Sequence, residues 1–235
     1  MKINQEIPSF IVFDGPSGAG KGTLIPLVET ALESYGLNPT IFVEEEADKN
    51  RAEILEARNR GKQAGGAGDR EMAEVLVHHR QKLYEKFVAP ALLGGRIVLA
   101  DRGEPATLAY QTAKGELTMD EVWRMHREQQ IRLPDAVVLT LCSPETALFR
   151  EEQDSRSSSL RQKQESGTGL SGKVSSDPGA DRETKLRSRR VIHSNYEVAA
   201  RFLSSNGVPV LTLDTEHMNP DEELSRVVGF LGFTA

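Results

Sequence analysis

The chain has 235 residues, of which 38% are hydrophobic, enough for one sizeable core. Its net charge is -6 and its sequence pI about 5.5, which argues against bulk binding to nucleic acid or an anionic membrane. No apolar run approaches the roughly 18 residues that a membrane span needs, and no basic-then-apolar leader opens the chain, so a soluble, cytoplasmic protein is expected. The single cysteine, Cys142, excludes an internal disulfide, fits a reducing compartment and is read as a structural thiol.

In chain order, five short apolar runs read as strands: Phe10–Asp14, Thr40–Val43, Ile97–Asp101, Ala136–Leu141 and Val208–Leu213. Nearly continuous apolar runs of this length suit strands buried on both faces of a parallel sheet. Helical patterns fill the intervals. One runs from Lys21 to Tyr35, with Gly36 free to adopt a left-handed cap. A second spans Arg70 to Phe87, its end disturbed by Pro90. Pro105 opens a third that reaches Ala113. Thr118 and Glu121 form a capping box for a fourth that reaches about Ile131. Ser143-Pro144-Glu145 and Asn219-Pro220-Asp221 start two more, and Asn206-Gly207 closes one that begins near Glu183. The alternation predicts an α/β fold of three layers, a five-stranded parallel sheet with helices on both faces.

Residues 153 to 180 break this pattern, being rich in Ser, Gly and Gln and poor in large apolar residues. Such a composition cannot bury enough surface to order itself and predicts a flexible segment. Arg150, Arg156 and Arg161 stand on one side of its middle and Arg182, Arg187, Arg189 and Arg190 on the other. The reading is a single domain over 1–235, with 150–190 as an arginine-flanked lid inserted between two helices.

The chemistry is concentrated after the first strand. Gly15-Pro16-Ser17-Gly18-Ala19-Gly20-Lys21-Gly22-Thr23 fits G-x-x-x-x-G-K, with Gly22 where Ser or Thr is usual and Thr23 next to it. Glycines let backbone N–H groups wrap a phosphate, and the following helix presents its positive end to the same anion. Lys21 adds a mobile charge for the β- and γ-phosphates of ATP. A strand before the loop and a helix after it are the context that makes this a P-loop. Asp101, closing the apolar strand Ile97–Asp101, has the form of a second acidic site able to hold Mg²⁺, with the Thr23 hydroxyl as the other metal-side candidate. Arg102 beside it suits bidentate binding of phosphate oxygens. No GTPase base-reading motif follows, and none of the five histidines has metal-ligand spacing.

Two groups of residues carry a family resemblance. The run Asp14–Leu24 resembles the phosphate loop of cytidylate and adenylate kinases. His79-Arg80-Gln81, Val88–Leu92, Gly95–Arg102, Leu108–Gln111, Leu133–Leu139 and Pro144–Leu148 resemble thymidylate kinase at the family's spacing. The resemblance implies a P-loop kinase fold and transfer of the γ-phosphoryl of ATP, with Mg²⁺, to a nucleoside monophosphate, foremost dTMP. Another acceptor (CMP, AMP or a deoxynucleoside) or nucleotide binding without catalysis are the alternatives. It also implies that Arg80 and Arg102 hold the acceptor phosphate and γ-phosphate, that Leu76, Thr107, Tyr110 and Gln111 line the nucleoside pocket, that a lid arginine, Arg150 or Arg156, acts in catalysis, and that the protein is a homodimer. The chain departs from the family at Ser17, where an acidic residue is common, at Glu44-Glu45-Glu46-Ala47, where an Arg-Glu-Pro motif is usual, and at Leu76, where an aromatic ring is usual. The Gln63–Gly68 stretch has no clear counterpart in the family.

Overall fold

The computed structural model describes residues 7–44, 54, 56, 59–60, 69–154 and 178–233, with backbone alone at 178–181. The expected flexible segment, Arg156 and Arg161, Glu45 to Ala47, and Gln63 to Gly68 therefore lie outside the described residues, apart from the insert's helical ends.

The described strands are β1 (Phe10–Asp14), β2 (Pro39–Val43), β3 (Ile97–Asp101), β4 (Ala136–Leu141) and β5 (Val210–Asp214). They form one parallel sheet in the order β2-β3-β1-β4-β5. The helices are α1 (Lys21–Ser34), α2 (Asp69–Leu83), α3 (Ala89–Leu93), α4 (Glu104–Gln111), α5 (Met119–Glu128), α6 (residues 144–154), α7 (Pro178–Ser205) and α8 (Pro220–Phe230).

Side-chain alternation along β1 sorts the two faces. Ile11 and Phe13 pack with Leu24, Val28 and Leu32 of α1 and with Val227 of α8. Phe10 and Val12 pack with Ala73 of α2, Leu108 of α4, Trp123 of α5, and Tyr196 and Leu203 of α7. Asp14 continues the second series, so its carboxyl is directed into the interior face and is fully buried.

Several boundaries differ from the sequence expectation, among them the starts of β2 at Pro39 and α7 at Pro178 and the end of α4 at Gln111, and three have a plain physical cause. The second helix does not end at Pro90: a π turn over Tyr84–Val88 joins α2 to α3, with the Ala89 N–H donating to the Tyr84 carbonyl. The wider turn gives room where the proline ring would otherwise meet the carbonyl four residues back. Helix α5 closes at Glu128, short of Ile131, because Gln130 turns left-handed with φ of 54°. Strand β5 starts two residues late. The Val208 N–H is committed to the Leu203 carbonyl at 3.0 Å, and Pro209 has no N–H to give.

The capping signals read from the sequence form as expected. Asn219 accepts from Asp221 N and Glu222 N at 3.0 Å each while the Glu222 carboxylate accepts from Asn219 N at 2.9 Å. Replacing Asn219 by Ala is expected to lower stability by about 1 kcal/mol. Urea unfolding checks this as a lower midpoint at unchanged slope.

Candidate active site

The loop 15–20 leaves the end of β1 and turns directly into α1. Its backbone passes so close to neighbouring chain that side chains cannot be tolerated at two points. A Cβ on Gly15, whose φ is +138°, would lie 2.1 Å from the Thr140 carbonyl oxygen. One on Gly18, at φ +78°, would lie 2.3 Å from that of Ala147. Lys21 is buried at the first turn of α1, and its ammonium donates to the carbonyls of Gly15 at 2.8 Å and Pro16 at 3.0 Å. The ammonium therefore lies over the loop.

Asp14 organises everything behind that loop. Its Oδ1 accepts from Gly15 N at 2.7 Å and from the Tyr196 hydroxyl at 3.0 Å, and its Oδ2 from Gly103 N at 3.1 Å and Ala106 N at 2.8 Å. One carboxylate thus fastens the phosphate loop, the N-terminus of α4 and the middle of α7 to the end of β1. The helix end and the hydrogen bonds compensate its burial.

Because β3 pairs with β1 in parallel, Asp101 lies beside Phe13, and Arg102 next to the loop. The Arg102 N–H donates to the Phe13 carbonyl at 2.8 Å, its backbone takes the left-handed φ of 77°, and its guanidinium reaches the Ser17 hydroxyl at 3.3 Å. A left-handed non-glycine residue is a strained position. Here it turns the guanidinium of the β3 end back toward the phosphate loop.

Behind Arg102 sits a buried polar cluster. Arg80 of α2 donates to Thr107 Oγ1 at 3.0 Å, His126 Nε2 at 2.7 Å and Glu44 Oε2 at 3.1 Å. His126 Nδ1 faces the Val122 carbonyl at 2.9 Å, so the ring is neutral, protonated on Nδ1, and accepts at Nε2. Burial, then the Arg80 charge, push the His126 pKa down to about 3. Burial works against the Arg80 charge, but Glu44 and Glu104 outweigh it and hold the guanidinium above its ordinary pKa. Glu104 is buried too, and desolvation raises its pKa against the opposing pull of Arg80.

The thymidylate kinase family model matches residues 13–168, about two thirds of the chain and the whole span from the phosphate loop into the segment after α6. The chain belongs to the thymidylate kinase family. It is similar to the thymidylate kinase of Limosilactobacillus fermentum, at 26% identity over 220 residues covering 93% of this chain and 90% of the relative. That of Xanthomonas oryzae pv. oryzae (strain PXO99A) is 29% identical over 211 residues, covering 86% and 89%. The fold is also that of the crystal structure of thymidylate kinase from Ehrlichia chaffeensis, with a TM-score of 0.59 at 16% identity, covering 94% and 97% of the two chains.

Within this family member the structure brings most of the sequence-nominated residues to one edge of the sheet. Gly15 to Thr23, Asp101 and Arg102 gather at the C-terminal ends of β1 and β3. Arg80 and Thr107 touch each other, half-buried Leu76 lies one helical turn from Arg80, and buried Gln111 and exposed Tyr110 end α4. The Tyr110 ring meets that of Tyr196 edge-on at 6.1 Å. Arg150 lies elsewhere around the loop: it donates to the Gly18 carbonyl at 3.4 Å, Thr215 Oγ1 at 3.2 Å and the Thr215 carbonyl at 2.8 Å. Thr23 is exposed on the first turn of α1.

Sequence reasoning assigned no role to Asp14, Glu104, His126 or Tyr196. A carboxylate ending an apolar strand just before the loop was the available signal for Asp14. The other three become recognisable only when α2, α4, α5 and α7 are assembled. The depressed pKa of His126 has a stability consequence. Below pH 6.5 the unfolded chain takes up a proton at this histidine that the folded chain refuses until about pH 3, so its contribution is complete above 6.5 and lost as pH falls. Between pH 6.5 and 5 this one group is expected to cost about 2 kcal/mol. Parallel thermal melts of the parent and His126→Asn check it, the variant losing that part of the slope.

Proposed function

We propose that this chain transfers the γ-phosphoryl group of ATP to dTMP, yielding ADP and dTDP. The observation that carries the reading is the meeting of Lys21 and the glycine loop, from β1, with Arg102, from β3, at neighbouring strand ends. Phosphoryl transfer asks chiefly for alignment and positive charge, and the acceptor phosphate is itself the nucleophile. No strong general base is needed.

In this reading the N–H groups of residues 15–23 and the Lys21 ammonium bind the β- and γ-phosphates of ATP. On arrival of the nucleotide, Lys21 exchanges the Gly15 and Pro16 carbonyls for phosphate oxygens, a charge-assisted gain. Arg150, bound to Gly18 and Thr215, supports the far side of the loop and contributes charge from there. Arg102 bridges donor and acceptor phosphates. Leu76, Thr107, Tyr110 and Gln111 line the nucleoside side. Arg80 is already compensated by Glu44 at 3.1 Å, which suits it to hold a neutral carbonyl of the base better than a dianionic phosphate. That pairing gives the family departure at Glu44 a physical sense: the carboxylate balances the buried guanidinium.

Mg²⁺ belongs to the proposal as the partner of ATP. The half-buried Asp101 carboxylate and the exposed Thr23 hydroxyl are hard oxygen donors of the type it takes alongside phosphate and water, so the residues present fit it. When bound it neutralises charge on the phosphates. We also propose one domain over 1–235 with the 150–190 region as its lid, a homodimer whose pairing would cover exposed apolar residues such as Leu93, and a cytoplasmic location in keeping with buried, unpaired Cys142. Among the described residues no helix is long and apolar enough to cross a membrane.

A coupled ADP-release assay across dTMP, dUMP, CMP, UMP, AMP and GMP tests the acceptor, dTMP being expected to give the highest kcat/KM. Lys21→Ala is expected to lower kcat about 100-fold or more. Parent-level turnover by that variant would exclude the role given to the loop.

A further inference from the structure

In the phosphotransfer reading the base lies toward Arg80 and Thr107 and the phosphate at Arg102, so the sugar of the acceptor falls between them. Tyr110 stands one helical turn beyond Thr107 on α4, and it also borders a cavity of about 320 Å³ between the phosphate loop, α6 and α7. That volume is at the small end of those that hold ligands. Pro16, Ala147 and Ile192 give the cavity apolar walls, and Ser17 and His193 border it as polar residues. An apolar lining with a few polar groups suits a sugar, which has C–H faces and few hydroxyls.

His193 brings an unanswered polar atom to this cavity. Its Nε2 is buried and has no hydrogen-bond partner among the described residues, a costly state for a polar atom. Polar groups nearby on α7 are committed within the protein. Arg189 is ion-paired with Glu151, and the Ser188 hydroxyl donates to the Thr184 carbonyl at 3.2 Å. Two contacts just beyond His193 fix its place. Asn195 Nδ2 donates to the Ala109 carbonyl at 3.0 Å and to Thr112 Oγ1 at 3.2 Å, which ties α7 to the end of α4. Tyr196, one turn on from His193 along the same face, donates to Asp14 and meets the Tyr110 ring edge-on at 6.1 Å. A side chain held on so firmly tied a helix loses little freedom when a ligand arrives.

We propose that His193 is a specificity-determining residue whose Nε2 hydrogen-bonds the free sugar hydroxyl of the acceptor, the 3′-hydroxyl of dTMP. The inference rests on the phosphotransfer reading above and adds to it a contact for the sugar. A hydroxyl can give or accept a hydrogen bond, and an imidazole nitrogen does one or the other according to its tautomer, so the pair is matched in either sense. An acceptor without the hydroxyl leaves Nε2 buried and unanswered. A site built to hydrogen-bond a substrate group rejects the analogue that lacks it for this reason. His193 makes and breaks no covalent bond.

A histidine buried for packing alone predicts a different pattern, and a cycle of variants and acceptors separates the cases. kcat/KM is measured on dTMP and on dTMP lacking the 3′-hydroxyl, in the parent, His193→Phe and His193→Gln. The parent is expected to favour dTMP by about tenfold or more. His193→Phe keeps a ring and is expected to lose about tenfold on dTMP while staying within about twofold of the parent on the analogue. His193→Gln supplies a donor and an acceptor again and is expected to recover most of the preference. The ratio of dTMP to dUMP, which reads the base, is expected to stay at the parent value in both. Equal losses on the two acceptors in His193→Phe, or a preference for dTMP unchanged from the parent's, would overturn the assignment. If the Phe variant does not fold, His193→Ala gives the same reading. A parent inactive on dTMP refutes the acceptor reading instead; the cycle is then run with whichever monophosphate of the panel turns over and its analogue without that hydroxyl. With none, calorimetric binding of dTMP and its analogue decides: equal affinities count against His193, and a parent that binds neither counts against both readings.

Discussion

The buried carboxylate of Asp14 is the constraint on which the site depends. It ends a strand whose other side chains lie in hydrocarbon, and a charge there survives only if several donors are fixed around it. Four donors are: the first amide of the phosphate loop, two amides at the start of α4 and the hydroxyl of Tyr196. They come from three separate parts of the chain. The requirement to satisfy one carboxylate therefore sets the mutual positions of the phosphate loop, the helix that carries Thr107 and Tyr110, and the helix that carries Tyr196. Hydrophobic packing brings these elements together over the sheet, but it is tolerant of small displacements. The hydrogen bonds to Asp14 are not.

The cluster around Arg80 shows a second use of buried charge. Arg80 enters the interior with one ionised partner, Glu44, and two neutral acceptors, Thr107 and His126. The imidazole can accept only because its Nδ1 proton is committed to the Val122 carbonyl one helical turn earlier. Glu104 stands close by with an Oε2 that has no hydrogen-bond partner among the described residues, and burial favours its neutral form. The neutral imidazole and the Glu44 carboxylate leave the Arg80 guanidinium compensated within its own cluster, while Lys21 and Arg102 stand at the loop.

Much of this was legible in the sequence. Three strands appear with the expected bounds, because continuous apolar runs of five or six residues have no other place in an α/β layer structure. The loop and Lys21 were legible because their chemistry is local: strand, glycines, lysine and helix are consecutive. The misjudged boundaries are those decided by neighbours, such as the π turn before Pro90 and the Val208 amide captured by Leu203. The same distinction holds at the site. Arg102 is identified by the strand it follows, whereas Tyr196 lies 182 positions from the Asp14 carboxylate it donates to and resembles any tyrosine of a helix until α7 is laid against the sheet. Spacing in sequence carries no information about such a meeting.

The two glycine contacts of the phosphate loop have a mechanical meaning. Gly15 rests against the carbonyl of Thr140 in β4, and Gly18 against that of Ala147 in α6, with no room for even a methyl group between. Contacts this close leave no slack, and packed interiors transmit strain. The nucleotide cradle is thus seated on the helix that also bears Arg150 and Glu151 three and four residues on. A tilt of α6 at Ala147 would be passed straight to the loop through that contact, so the two move as one piece.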